Sequence, residues 1–292
     1  MTILLTGATG FLGSHLLRAL VNKGYKVVVL KRSTSNMWRL KGSENTFKSY
    51  DIDQVPLRKA FEDQHIDTII HTACMYGRKG ESMQQILETN LMFGIELLNT
   101  GTFFNTGTFF NTGTLLYKYL NYYALSKKQF EEWLQLASDK IQVVNLKLEH
   151  MFGEQDGNDK FTSWILNELQ QEKPSIPLTA GTQKRDFIYI DDVVSAYLTC
   201  LEQAPQLKDF NDIEVGTGVL TPVKTFVILV KEVLEKLKGK PIKTQLNFGA
   251  LPYREGEIME PQVDNSRLYS LGWQPKRSLE ENIERFVKNE IQ

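Results

Sequence analysis

Tyr123 and Lys127 stand four residues apart in the segment Tyr-Ala-Leu-Ser-Lys, a spacing that puts a phenol and an ammonium on one helix face. A tyrosine with a reference pKa of about 10 is a poor acid or base near neutrality. A neighbouring ammonium favours the phenolate and brings it into working range. Upstream, Thr114 closes the run Phe109-Phe-Asn-Thr-Gly-Thr, and a hydroxyl at a strand end would hold a reacting oxygen in place. A second chemical element opens the chain: Thr6-Gly7-Ala8-Thr9-Gly10-Phe11-Leu12-Gly13. Its glycines let backbone N–H groups and a helix N-terminus approach a phosphate closely.

The elements that must position these groups follow from periodicity. Ile3-Leu4-Leu5 is a short buried strand, Phe11–Lys23 has helical spacing and ends at Gly24, and Lys26–Lys31 is a second strand. A strand, glycine turn, helix and strand in this order is the context of the dinucleotide fingerprint, here spaced G-x-x-G-x-x-G. The second strand ends in Lys31-Arg32-Ser33 rather than in the acid that a free ribose 2′-hydroxyl would want. Arg32 can clamp a 2′-phosphate and Lys31 neutralise it, so the cofactor expected is NADP(H) in preference to NAD(H). Ser49–Asp53 ends a third strand and Asp67–His71 forms a fourth. The small residues Thr72 and Ala73 then let the backbone pass under a cofactor, and His71 is read as structural. Met83–Leu98 is predicted to be one long helix.

Asn99 to Thr114 reads NTGTFF-NTGTFF-NTGT, a six-residue period that marks a duplication or an assignment artefact. Thr, Gly and Asn with paired aromatics suit strands and turns better than a helix end. The last copy, Phe109–Thr114, is therefore expected to be the fifth strand, with the first two filling a helix end and a loop. Downstream, Phe161–Gln171 is predicted as a helix. Thr221 and Pro222 are read as the N-cap and first-turn proline of a helix reaching Lys238, and Pro241–Phe248 as a strand.

Together these give an α/β fold, a Rossmann-like doubly wound parallel sheet with a smaller C-terminal α/β substrate lobe. The nucleotide-binding domain is expected at 1–152 plus about 184–216, and the substrate lobe at about 153–183 plus 217–292. A net charge of −1 gives no electrostatic footprint for nucleic acid or an anionic membrane. Two cysteines, Cys74 and Cys200, are too few for a disulfide framework and fit a reducing cytoplasm. The early apolar runs are too short for a signal segment or a membrane span, and no cluster of ligands suggests a metal.

The chain resembles the extended short-chain dehydrogenase/reductases of the epimerase/dehydratase type, in particular their nucleotide-sugar members. The resemblance rests on the glycine turn, on Tyr123 with Lys127, on Arg185-Asp-Phe-Ile-Tyr-Ile-Asp-Asp192, and on Tyr253-Arg254-Glu-Gly-Glu257 with Leu271-Gly-Trp-Gln-Pro275. It implies Thr114, Tyr123 and Lys127 as the catalytic set. It also implies cofactor contacts from Gly7, Thr9, Gly10, Phe11, Leu12, Gly13, Lys31, Arg32, Asp51, Ile52, Thr72, Ala73 and Asn90, besides Tyr123 and Lys127. Substrate contacts would come from Tyr76, His150, Arg185 and Arg254, the two arginines meeting a diphosphate. Two departures stand out: only nine positions separate Thr114 from Tyr123, which shortens the loop over the sugar, and His150 and Lys147 occupy places where the family has Asn and Arg; separately, Leu115-Leu116 stand where a dehydratase has Asp-Glu. The activity implied is NADPH-dependent reduction of a nucleotide-diphospho-4-keto-sugar. The likeness is strongest to bacterial reductases that make CDP-linked 3,6-dideoxyhexoses for surface polysaccharide. A nucleotide-sugar epimerase and a non-catalytic NADP-sensing protein are the competing readings, and a homodimer is a family habit.

Overall fold

The computed structural model describes residues 1–291. The elements begin with β1 (Thr2–Thr6), α1 (Phe11–Asn22), β2 (Lys26–Lys31), β3 (Lys48–Asp51), α2 (Arg58–Asp63) and β4 (Thr68–His71). They continue through α3 (Met83–Leu87), α4 (Phe93–Phe103), β5 (Thr108–Thr114), α5 (Tyr122–Ala137) and β6 (Gln142–Leu148). Next come β7 (His150–Phe152), α6 (Phe161–Gln170), β8 (Ser175–Leu178), β9 (Lys184–Tyr189), α7 (Ile190–Gln203) and β10 (Phe210–Val215). The last are β11 (Leu220–Pro222), α8 (Val223–Lys238), β12 (Gln245–Phe248), α9 (Ser266–Ser270) and α10 (Leu279–Glu290).

Two compact units form, one from 1–148 with 194–215, the other from 149–193 with 216 onward. In the first, a wholly parallel sheet runs in the order β10-β6-β5-β4-β1-β2-β3. The strand order reverses between β1 and β4, so the loops leaving these two strands diverge and open a crevice at the carboxyl ends. Leu4, Ile69, Phe109 and Val143 share one register row and pack under Leu97, Leu98, Phe130 and Leu134. Burial of each such side chain contributes about 1.5–3 kcal/mol.

The second unit holds β11-β9-β7 and the pair β12-β8. β9 pairs with β7 and β11, which draws residues 149–152 and 184–193 out of the nucleotide-binding part where the sequence reading placed them.

Several element boundaries differ from expectation. The helix predicted over Met83–Leu98 is interrupted by a π turn at Glu88–Met92 and continues to Phe103. The first hexapeptide copy is therefore the helix end it was expected to fill. Thr221 and Pro222 lie in β11, and Pro222 precedes α8 without a side-chain cap, whereas Gly239 closes that helix at φ +65° as expected. β12 begins only at Gln245.

Candidate active site

The glycine turn connects β1 to α1. Gly7 adopts φ +70°, and a Cβ there would fall 2.6 Å from Thr72 Oγ1 and 2.7 Å from the Ala73 nitrogen. A Cβ on Gly13 would lie 2.1 Å from the Gly7 carbonyl oxygen, so helix and turn are in backbone contact. Gly10 sits at the N-cap with no side-chain cap, and Phe11 and Leu12 bury their side chains beneath the turn. An uncapped helix N-terminus behind a backbone cradle fits a dinucleotide pyrophosphate. The opposite wall is the exit of β4, where Thr72 Oγ1 donates to the Thr6 carbonyl (2.8 Å) and the Ala73 N–H to Thr6 Oγ1 (3.2 Å).

The basic end of β2 meets acids that the sequence reading did not pair with it. Lys31 and Asp51 are register partners, and their side chains form an ion pair. Asp53 accepts from the Ser33 N–H (2.7 Å) and hydroxyl (2.5 Å), bonds that hold its carboxyl down at about 2. Ile52 donates its N–H to the Lys31 carbonyl, while Arg32 stays exposed. Arg39 reaches the turn by donating to the Thr9 carbonyl at 3.3 Å and lies over the Trp38 ring. No motif pointed to it.

Thr114 ends β5, and Tyr123 lies in the first turn of α5, whose N-terminus Asn121 caps by accepting from the Ala124 N–H at 2.8 Å. The structure brings the two close together, with the Thr114 hydroxyl acting on the Tyr123 phenol. Burial pushes the Tyr123 phenol up; nearby Cys74 adds to this, while the Thr114 hydroxyl and the Arg78 charge oppose it. The sequence reading had a neighbouring ammonium lowering the phenol, but here desolvation is the larger effect and the phenol stays protonated. Lys127, one turn on, is 2% exposed, and burial pulls its ammonium down while Cys74 and Glu131 pull it up. The Tyr76 ring packs 4.8 Å from that of Tyr123, and Arg78 lies over Tyr76. Cys74 and Arg78 were missed because they stand in an unpatterned loop.

Asn90, expected at the cofactor, is fully buried in the π turn. Its amide accepts from the Met75 N–H (2.7 Å) and donates to the Met75 carbonyl (2.9 Å) and Ser126 Oγ (3.0 Å). These bonds tie the β4 exit loop to α5. Ser126 in turn donates to the Tyr123 carbonyl at 2.9 Å.

Among the residues expected at substrate, three belong to the second unit. His150 is exposed on β7, with Nδ1 3.3 Å from the buried Glu149 carboxylate. Arg254 is exposed. Arg185 was expected to bind a diphosphate, yet its guanidinium is ion-paired with Glu257 and donates to the Lys184 and Ile258 carbonyls. It tethers the 254–258 turn to β9. Lys147, in the first unit, is engaged by Asp212 and Glu131. Among the described residues, no helix is long and apolar enough to cross a membrane.

A family model described as NAD dependent epimerase/dehydratase matches residues 3–216. CDP-abequose synthase of Salmonella typhimurium (strain LT2) is 31% identical, over 98% of this chain and 97% of that protein. CDP-abequose synthase of Salmonella muenchen is 33% identical, over 98% and 96%. Among solved structures, UDP-glucuronic acid 4-epimerase from Bacillus cereus, in complex with UDP-glucuronic acid and NAD, superposes with TM-score 0.82 at 25% identity, covering 99% of this chain and 98% of that one.

Proposed function

Because the chain belongs to the NAD dependent epimerase/dehydratase family, and is thereby an NAD(P)-dependent oxidoreductase of the extended short-chain type, we propose that it reduces a CDP-linked 4-keto-dideoxysugar with NADPH. The observation that carries this reading is the placing of Thr114 at the end of β5 beside a Tyr123 phenol in the first turn of α5 that burial holds protonated. A reduction needs a proton donor ready at the start, whereas an oxidation needs the phenolate. The nicotinamide, when bound, supplies the hydride. Tyr123 donates its proton to the developing alkoxide, and Thr114 holds the phenol and the reacting oxygen in line. Lys127 places a buried positive charge one turn below, favouring the phenolate that remains. Gly7, Gly10 and Gly13 leave backbone room for the pyrophosphate.

The CDP linkage draws its support from the two Salmonella relatives, which match nearly end to end. The exposed Arg32, beside Ser33 at the end of β2, supports NADPH. A homodimer is supported by Met83, Leu87, Trp133 and Leu136, all exposed on the neighbouring helices α3 and α5. One observation favours a second reading, an NAD-dependent nucleotide-sugar epimerase: Asp51 neutralises Lys31, and Asp53 adds another acid at the same strand ends. Mixing the protein with NADPH and a panel of CDP-, dTDP-, GDP- and UDP-keto-sugars while following absorbance separates the two. Oxidation of NADPH with a CDP-keto-sugar supports the reductase; a flat trace with turnover in an NAD-loaded epimerase assay overturns it.

A further inference from the structure

The loop that leaves β2 is built by its own hydrogen bonds. The Arg32 N–H donates to Ser35 Oγ (3.1 Å), the Ser35 N–H returns to the Arg32 carbonyl (3.0 Å), and the Trp38 N–H donates to Asn36 Oδ1 (3.1 Å). A short 3₁₀ turn over Trp38–Leu40 then buries Leu40 completely. Arg18 of α1 donates to the Arg39 carbonyl at 2.9 Å, which pins this turn to the helix that the glycine turn opens. The Arg39 guanidinium is thereby mounted on the glycine turn itself. Its Nη1 donates to the Thr9 carbonyl at 3.3 Å, and its carbon lies 4.4 Å from the centroid of the Trp38 ring. A guanidinium held by one edge and one face is already oriented, so little freedom remains to be lost when its planar fork meets a phosphate.

We infer that Arg39 is a cofactor-specificity residue, whose guanidinium takes the ribose 2′-phosphate that distinguishes NADPH from NADH, with the exposed Arg32 as its outer partner. The inference rests on the reading of NADPH as the reductant and names the group responsible for it. In a dinucleotide fold the pyrophosphate lies on the glycine turn and the adenosine ribose beside the end of the second strand. Arg39 is bonded to that turn, and Arg32 begins the loop leaving that strand. The other charges here tell against Lys31, the cation expected alongside Arg32. Lys31 and Asp51 cancel in their ion pair, and Asp53 is turned onto Ser33 through both of its oxygens. Arg32 and Arg39 then stand against Asp53 alone. A 2′-phosphate gains charge-assisted bonds from such a pair, whereas a 2′-hydroxyl brings no charge for them to meet.

The test is a pair of fluorescence titrations, with NADPH and with NADH, on the wild type and on variants, with no sugar present. The wild type is expected to bind NADPH about tenfold or more tighter than NADH. Arg39→Gln should cut that preference about tenfold, through weaker NADPH binding, with NADH affinity held within about threefold. Arg39→Lys keeps the charge but loses the fork and the stacked plane, and should fall between the two. Arg32→Gln, at an exposed side chain, should lower the preference only about two- to fivefold. Both nucleotides place their pyrophosphate on the same turn, so the ratio cancels any general disturbance of it. An unchanged preference in Arg39→Gln, or equal weakening of both nucleotides, overturns the role of Arg39 and leaves the NADPH reading standing. A wild type that binds NADH as tightly as NADPH overturns the NADPH reading, and the inference with it.

Discussion

The hexapeptide Asn-Thr-Gly-Thr-Phe-Phe at Asn99–Phe104 finishes a helix, and the identical hexapeptide at Asn105–Phe110 turns the chain and begins a strand. In the helical copy Thr100 and Thr102 donate to the Glu96 and Leu98 carbonyls one turn back, which satisfies their hydroxyls within the helix. Asn99 and Phe103 face solvent, the latter 74% exposed, while Phe104 stacks on Phe61. In the strand copy Asn105 takes φ +57° to make the turn, Thr106 donates to the Ile66 carbonyl, Thr108 donates to Gln142, and Phe109 and Phe110 are wholly buried. The partial third copy places Asn111 on Asn145, Thr112 on Tyr197 and Thr114 beside Tyr123. One set of letters thus serves as helix end, turn, core and strand-end hydroxyl, and the partner supplied by the fold decides which.

That difference is measurable at matched positions. Phe109→Ala is expected to cost about 3–5 kcal/mol in urea unfolding, because it empties a packed layer. Phe103→Ala, the same letter on the helix, should stay within about 0.5 kcal/mol; comparable losses at both would erase the contrast. Thr114→Val should lower kcat about a hundredfold or more with folding intact, whereas Thr102→Val leaves turnover near wild type. Equal effects would remove Thr114 from the site.

His71, beside Asn111 in the strand layer, gives a pH signature. Its folded value of about 3 lies below the ordinary 6.5, so the unfolded chain binds the proton first as pH falls. Stability is full above about pH 6.5 and declines below it toward pH 3, by up to about 1.4 kcal/mol per unit. Denaturation at pH 7 and 5 should show this, and His71→Gln should flatten it; an undiminished slope in that variant would assign the effect elsewhere. The smallest expected change is at Asn105. Asn105→Val should cost about 1–2 kcal/mol for a β-branched side chain at positive φ, while Asn99→Val in the helical copy costs a few tenths by propensity alone. Similar values by thermal melting would show that the turn tolerates the branch.

Much of the first unit was legible because its signals are local. The glycine turn, the order of strand and helix, and the Tyr123–Lys127 spacing each lie within a few residues of chain. What the reading lost lay at long range. Nothing near Arg185 in the chain showed that Glu257, 72 residues on, is its ion-pair partner. Lys31 was counted as free charge because Asp51 reaches it only through strand pairing. The bond from the Asn90 amide to Met75 was not legible because the π turn that carries it has no pattern in the residues around it.

The amino-acid order alone determined the strand, glycine turn and helix of a dinucleotide-type crevice and the spacing of Tyr123 and Lys127 on one helix, since backbone conformation and helical spacing are properties of neighbouring residues. The tertiary structure decided which of the charges remain available, which way the buried amides point, and which copy of a repeated hexapeptide becomes a strand. Those outcomes depend on desolvation and on hydrogen-bond partners far away in the chain, and such partners exist only once the sheet has assembled.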